Sequence, residues 1–159
     1  MLITEGVGFP VVGSPSNPIL DLTSLDITSA AGGILTAKVT ETGFSSTHAG
    51  EIFISSITGV FVNSSATMST YLDATNAPFG MGTLLSSGLV NNQSDAVVVP
   101  VVSGPYSLTE VLTITAGPNS LSSIDAGIVD TPEPGSLSLL GAALLLLGRY
   151  LPSHRRVSA

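Results

Sequence analysis

Residues Tyr106 to Ala116 read YSLTEVLTITA, and this stretch decides the fold. Tyr106, Leu108, Leu112 and Ile114 fall on one side of a period-2 alternation, with Ser107, Thr109, Thr113 and Thr115 on the other. Successive side chains of a strand point to opposite faces, so this is the pattern of a strand with one face in a core. A helix would scatter the same apolar residues around its circumference. Glu110 is the exception. It falls on the apolar face, where a carboxylate without a partner costs several kcal/mol. Lys38 is the only base before Gly135. The sequence therefore places Glu110 at a sheet rim, its carboxylate in solvent or accepting hydrogen bonds from backbone N–H groups.

Downstream, Gly117-Pro118-Asn119 reads as a turn, and Ile124, Ala126 and Ile128 alternate as a last strand. Upstream, Leu20, Leu22, Leu25 and Ile27 alternate with a phase slip at Ser24 that implies a bulge. Ala31-Gly32-Gly33 turns the chain into a half-exposed strand carrying Leu35, Ala37 and Val39, and residues 41–50 read as a loop. Ile52 to Val62 is a β-rich run in which Gly59 marks a bulge or a close contact. Asn63-Ser64-Ser65 then reads as a hairpin turn into Ala66 to Asp73, and Asn76 to Gly80 as a second turn cluster. Ala96 to Val102 is nearly all valine, which predicts a strand buried on both faces, with Pro100 implying an edge or a kink.

No helical period occurs before the tail. The expected fold is mainly β, an antiparallel β-sandwich of about seven to nine strands over residues 1–130. A single C-terminal hydrophobic helix follows it, within residues 131–159. Leu108, Leu112, Ile114, Ile124 and Ile128 are the expected core.

The tail, Thr131 to Arg156, reads TPEPGSLSLLGAALLLLGRYLPSHRR. Pro132-Glu133-Pro134 cannot sit inside a helix, because proline lacks an N–H and restricts the residue before it. The apolar run that follows carries Leu137, Leu139, Leu140, Leu144, Leu145, Leu146 and Leu147, and Arg149, Arg155 and Arg156 close it. Gly135 to Leu151 is roughly 17 residues, or about 25 Å as a helix, at the lower limit for a membrane span. Arg149 lies near one end, where its stem can reach the headgroups. Basic residues after the run place that end in the cytoplasm and the folded body outside.

Charge divides the chain at the same place. Before Gly135 the chain has eleven acidic residues against Lys38, a balance of −10, and the three arginines after it bring the chain to −7. An acidic body argues against nucleic acid, whose phosphates reward lysine and arginine. The absence of cysteine excludes a disulfide framework and a thiolate metal site.

In its order of Pro132-Glu133-Pro134, apolar run and arginines at the terminus, the tail resembles the PEP-CTERM sorting signal of bacterial exported proteins. The same tail module also carries the family label of an ice-binding protein C-terminal domain. The stretches TNAPFG and GPYSLTEVLTITA likewise resemble segments recurring in PEP-CTERM proteins. The resemblance implies that a membrane-embedded exosortase recognises and removes the tail. The mature, non-enzymatic protein would then pass to the cell surface or extracellular matrix. Such proteins carry an N-terminal signal peptide. Met1-Leu2-Ile3-Thr4-Glu5 has neither the basic nor the apolar region of one, so either the start lies upstream of Met1, which is the expectation here, or this copy is not exported.

Candidate chemistry in the body is sparse. Ser46, His48 and an aspartate are the raw material of a hydrolase triad, but no nucleophile motif accompanies them, and His48 reads as a solvated loop residue. Asp21/Asp26 and Asp125/Asp130 are the carboxylate pairs nearest in sequence. Acid–base work on sugars needs two carboxylates across a cleft, and solvated strand-edge acids are the simpler reading. No calcium-loop pattern occurs, and no cofactor or metal site is expected. Thr113-Ile114-Thr115 and Thr40-Glu41-Thr42 place paired hydroxyls on strand faces, which the β-propensity of threonine explains. A carbohydrate- or ice-binding module on the same tail, with exopolysaccharide as partner, is the alternative reading, and a secreted hydrolase ranks below it.

Overall fold

A computed structural model describes residues 3–8, 13–131 and 143–145. The chain is mainly β. Eight strands follow in order: β1 (Ile3–Gly8), β2 (Gly13–Ser14), β3 (Asn17–Ser29), β4 (Gly33–Phe44), β5 (Ile52–Asp73), β6 (Thr83–Val90), β7 (Gln93–Val98) and β8 (Tyr106–Thr131). Every pairing is antiparallel except that of β1 with β4.

Two strands are far longer than the sequence suggests. β5 has 22 residues and β8 has 26, and they pair along their whole length from Ile52↔Thr131 to Asp73↔Ser107. A straight strand of that length would span about 70 Å. This ribbon instead doubles over. The hydroxyls of Ser55 and Thr70, fifteen residues apart on β5, lie 2.8 Å from each other, a separation of about 50 Å in an extended chain.

The corner lies where β5 shifts register between Val62 and Ser64, opposite residues 117–120 of β8. Asn63 and Asn119 both adopt the left-handed backbone, at φ 49° and 55°, which asparagine tolerates better than most residues. Asn63 Nδ2 donates to the Pro118 carbonyl at 2.7 Å, and a Cβ on Gly117 would press into the Asn63 side chain at 2.5 Å. The expected hairpin turn at Asn63-Ser64-Ser65 and the expected turn at Gly117-Pro118-Asn119 are therefore corrected. Both are bends in strands that continue, and they fold the ribbon as a unit.

Doubling the ribbon makes two layers. The first half of β5 and the second half of β8 lie with β3 and β7. The other halves lie with β4 and β6, and β1 pairs outside β4. The predicted bulge in β3 is present as a register shift between Leu22 and Leu25. The valine run is a second correction. β7 ends at Val98, an edge strand whose Val98 is 62% exposed, while Val99 and Val102 are buried from the irregular segment beyond it. Pro100 cannot supply a ladder N–H, so the edge is where such a run can sit.

Leu108, Leu112, Ile114, Ile124 and Ile128 are all fully buried, as alternation requires. The interior holds two apolar clusters. One gathers Leu20, Phe53, Leu72, Tyr106, Leu108 and Ile128; the other gathers Ile57, Met68, Leu89, Leu112, Ile114 and Ile124. Between them along the strands lie Ser55, Thr70 and Glu110. Each has no exposed surface. Thr70 stands opposite Glu110 on one side and Ser86 on the other, and Ser86 Oγ donates to Asp95 Oδ2 at 3.0 Å. A polar belt thus crosses the interior from Glu110 to the β6–β7 edge.

Glu110 itself corrects the rim expectation. It is fully buried, and neither carboxylate oxygen has a hydrogen-bond partner among the described residues. The strand has not slipped, because Leu108 and Leu112 on either side remain in the core. Burial first, then the charges of Asp21 and Glu41, push the carboxyl well above its ordinary range, which favours the neutral acid. Alternation had placed Glu110 inward. The second layer closing over that face then removed the rim.

Candidate functional site

The residues of the sorting motif, Pro132, Glu133 and Pro134, lie outside the described residues. So do Leu137, Leu139, Leu140, Leu146, Leu147, Arg149, Arg155 and Arg156. Of the expected tail helix, only the helical residues 143–145 are described, with Leu144 60% and Leu145 76% exposed. Among the described residues no helix is long and apolar enough to cross a membrane.

The described body ends at a pocket. β8 is described as far as Thr131, whose Oγ1 donates to the Ile52 carbonyl at 2.8 Å, tying this residue to the start of β5. Beside it the loop between β4 and β5 is held by buried Thr47. Its Oγ1 donates to the Pro100 carbonyl at 2.6 Å and accepts from Val102 N–H at 2.7 Å. The same loop presents Glu51, which accepts from the His48 backbone N–H at 2.6 Å and lies 3.4 Å from His48 Nδ1. Together with Ser16, Ser45, Ser46, Asp130 and Thr131, these two residues line a cavity of about 370 Å³.

The pocket is acidic and partly dry. Asp130 sits on the inward face of β8, opposite Phe53, with its Oδ1 buried and without a hydrogen-bond partner among the described residues. Burial and then the charge of Glu51 raise its pKa, with His48 opposing. Buried Tyr106 is affected by the same acids: burial, Glu51 and Asp130 hold its hydroxyl well above the usual phenol range.

The structure pairs the sequence candidates differently from their spacing. Asp125 and Asp130 are an odd number of residues apart on one strand and so face opposite sides. Asp130 instead meets Glu51 at the pocket, while Asp21 and Asp125 line a shallow outer groove of about 130 Å³. Ser46, His48 and Asp130 do converge, a grouping that only the loop geometry reveals. Yet His48 is engaged with Glu51, its side chain 81% exposed, and no hydrogen bond joins it to Ser46 among the described residues. A nucleophile–base relay needs that contact. No group of three His, Asp or Glu side chains among the described residues is placed to hold a metal.

The threonine triplets also separate. Thr40 is buried and donates to the Leu108 carbonyl at 2.9 Å. Thr113 points outward instead, in a row with Thr36 and Thr67 across three neighbouring strands.

No family model matches the sequence, and no curated protein matches it. Among solved structures the chain is similar to the structure of infectious bursal disease virus Gx strain, at 14% identity and a TM-score of 0.29. The likeness covers 76% of this chain and 33% of that one, so the chain spans about a third of the viral chain's length.

Proposed function

We propose that this is a bacterial exported cell-surface or extracellular-matrix protein, non-enzymatic, whose C-terminal tail is a sorting and membrane-anchoring signal removed by an exosortase. On this reading the body is a β-sandwich and a hydrophobic helix follows it. Pro132, Glu133 and Pro134 are the processing motif, the leucines from Leu137 to Leu147 enter the membrane, and Arg149, Arg155 and Arg156 stay on the cytoplasmic side.

One observation carries most weight. Thr131, the last described residue of β8, immediately precedes Pro132. On this reading the motif follows directly on a strand that is laddered through Thr131, and the processing enzyme acts next to the body. The exposure of Leu144 and Leu145 points the same way, since a helix built for a protein core would hide them.

The test is cellular. In a strain with the matching exosortase, the chain given a working signal peptide loses its tail and appears outside the cell. Replacing Pro132, Glu133 and Pro134 by alanine leaves the tail attached and the protein in the inner membrane. Processing of the altered chain at the wild-type rate sinks the reading.

The binding-module alternative draws on the polar pocket at Asp130 and on the Thr36–Thr113–Thr67 row. Saturable binding in a titration with exopolysaccharide, or inhibition of ice recrystallisation, would favour it.

A further inference from the structure

The outer face of the β3–β8–β5–β7 layer has an apolar end beside Thr131, an acidic band across its middle, and a second apolar group of Val60, Val62 and Leu121 where the ribbon bends. Directly opposite residues of paired strands project to the same side. Ile19, Val129, Ile54 and Ala96 stand in one row across the four strands, and Ile52 and Val98 stand beside Thr131 in the next. Their neighbours Leu20, Phe53 and Ile128 point into the core, so this set points out. Val98 is 62% exposed, and Ile52 and Val129 are each 38% exposed. Toward the corner the face changes character. The following row is Asp21, Gly127, Ser56 and Ser94, and beyond it Asp125 stands opposite Thr58.

The apolar end is the end from which the tail leaves. Thr131 belongs to the Ile52–Val98 row, and only residues 132–136 separate it from Leu137, where the apolar run begins. That connection reaches at most roughly 20 Å. Wherever the run enters hydrocarbon, this corner of the body is held close to the membrane surface. Among the described residues nothing of the tail lies over it: Leu144 and Leu145 are themselves exposed, and Val98 is open.

Resting on the sorting reading above, we infer that the corner formed by Ile19, Ile52, Ile54, Val98 and Val129 is a bilayer-contact surface. It lies in the lipid interface while the tail is inserted and keeps the acidic row of Asp21 and Asp125 turned away. The set contains no charged residue, so the contact is apolar and does not depend on anionic lipid. It orients the body on its anchor and so fixes the side from which the junction after Thr131 is approached.

The chain has no cysteine, so single labels report cleanly. Three full-length variants, Val98→Cys, Thr58→Cys and Leu144→Cys, carry an environment-sensitive fluorophore in phosphatidylcholine vesicles containing spin-labelled lipid. Val98 and Thr58 are both exposed positions on this face, so labelling leaves the core intact. The expected result is a severalfold larger loss of fluorescence at Val98 than at Thr58 with a headgroup-level quencher, and strong loss at Leu144 with a deep one. Loss at Leu144 with Val98 quenched no more than Thr58 overturns the contact surface and leaves the tail reading standing. No loss at Leu144 overturns the tail reading and this inference with it. Protection of Val98 from aqueous iodide that grows with the protein-to-lipid ratio assigns the face to a second copy, which also overturns it.

Discussion

Replacing Glu110 by glutamine tests the interior directly, because it removes an acid that is buried without a partner among the described residues. The carboxyl's ordinary value is 4.5, and burial raises it well above that in the folded chain. Below pH 4.5 both folded and unfolded chains hold the proton, and the acid imposes no pH-dependent penalty. As pH rises above that value, the unfolded chain releases its proton while the folded chain retains it. The wild type then loses about 1.4 kcal/mol of stability per pH unit, until pH passes the raised folded value. The Glu110→Gln chain does not lose it. Asp130, whose pKa is also raised, contributes to both proteins and cancels in the comparison. There is no tryptophan to report unfolding, so urea titrations are followed by far-UV circular dichroism, with mild detergent holding the tail in solution. The stability gap between variant and wild type should widen as pH rises above 4.5. A gap independent of pH would refute the reasoning, since it would mean that Glu110 ionises in the folded chain as readily as in the unfolded one.

Two further predictions use the same assay. Leu112→Ala should cost about 2–5 kcal/mol, as a fully buried leucine does; a cost near zero would place this residue outside the core. Thr70→Val leaves the buried Ser55 hydroxyl without its partner and should cost about 1–3 kcal/mol. Adding Ser55→Ala should then cost less than the single changes summed, and strict additivity would show that the two layers are not joined at this point.

Much of the fold was legible because alternation is a local property. Leu108, Leu112 and Ile114 are buried for the reason their spacing announced, and the slip at Ser24 is a real register shift. The errors fall where local chemistry has two outcomes. Asn63 and Asn119 carry the left-handed backbone of a turn. An isolated turn would reverse the strand onto itself, whereas two bends opposite each other fold a paired ribbon. Nothing within a few residues of either asparagine separates these cases. The valine run was misplaced for a related reason, since composition cannot distinguish a central strand from an edge followed by a buried irregular segment.

The candidate site divides in the same way. The order of Pro132-Glu133-Pro134, apolar run and arginines is written in consecutive residues, so the proposed sorting reading draws on no fold. The pocket could not. Ser16, Ser46, Glu51 and Asp130 come from distant parts of the chain and meet only because β5 and β8 double over and bring their open ends beside the β4–β5 loop.

By itself, then, the sequence determined the strand character of the body, the inward face of its core strands and its negative charge. These depend on side-chain period and composition along the chain, which need no partner. Tertiary structure alone decided that two long strands form one folded ribbon, that Glu110 is sealed inside rather than placed at a rim, and that the apolar corner lies at the tail junction. Each of these depends on which strand lies opposite which, and that pairing is set by contacts between residues far apart in the chain.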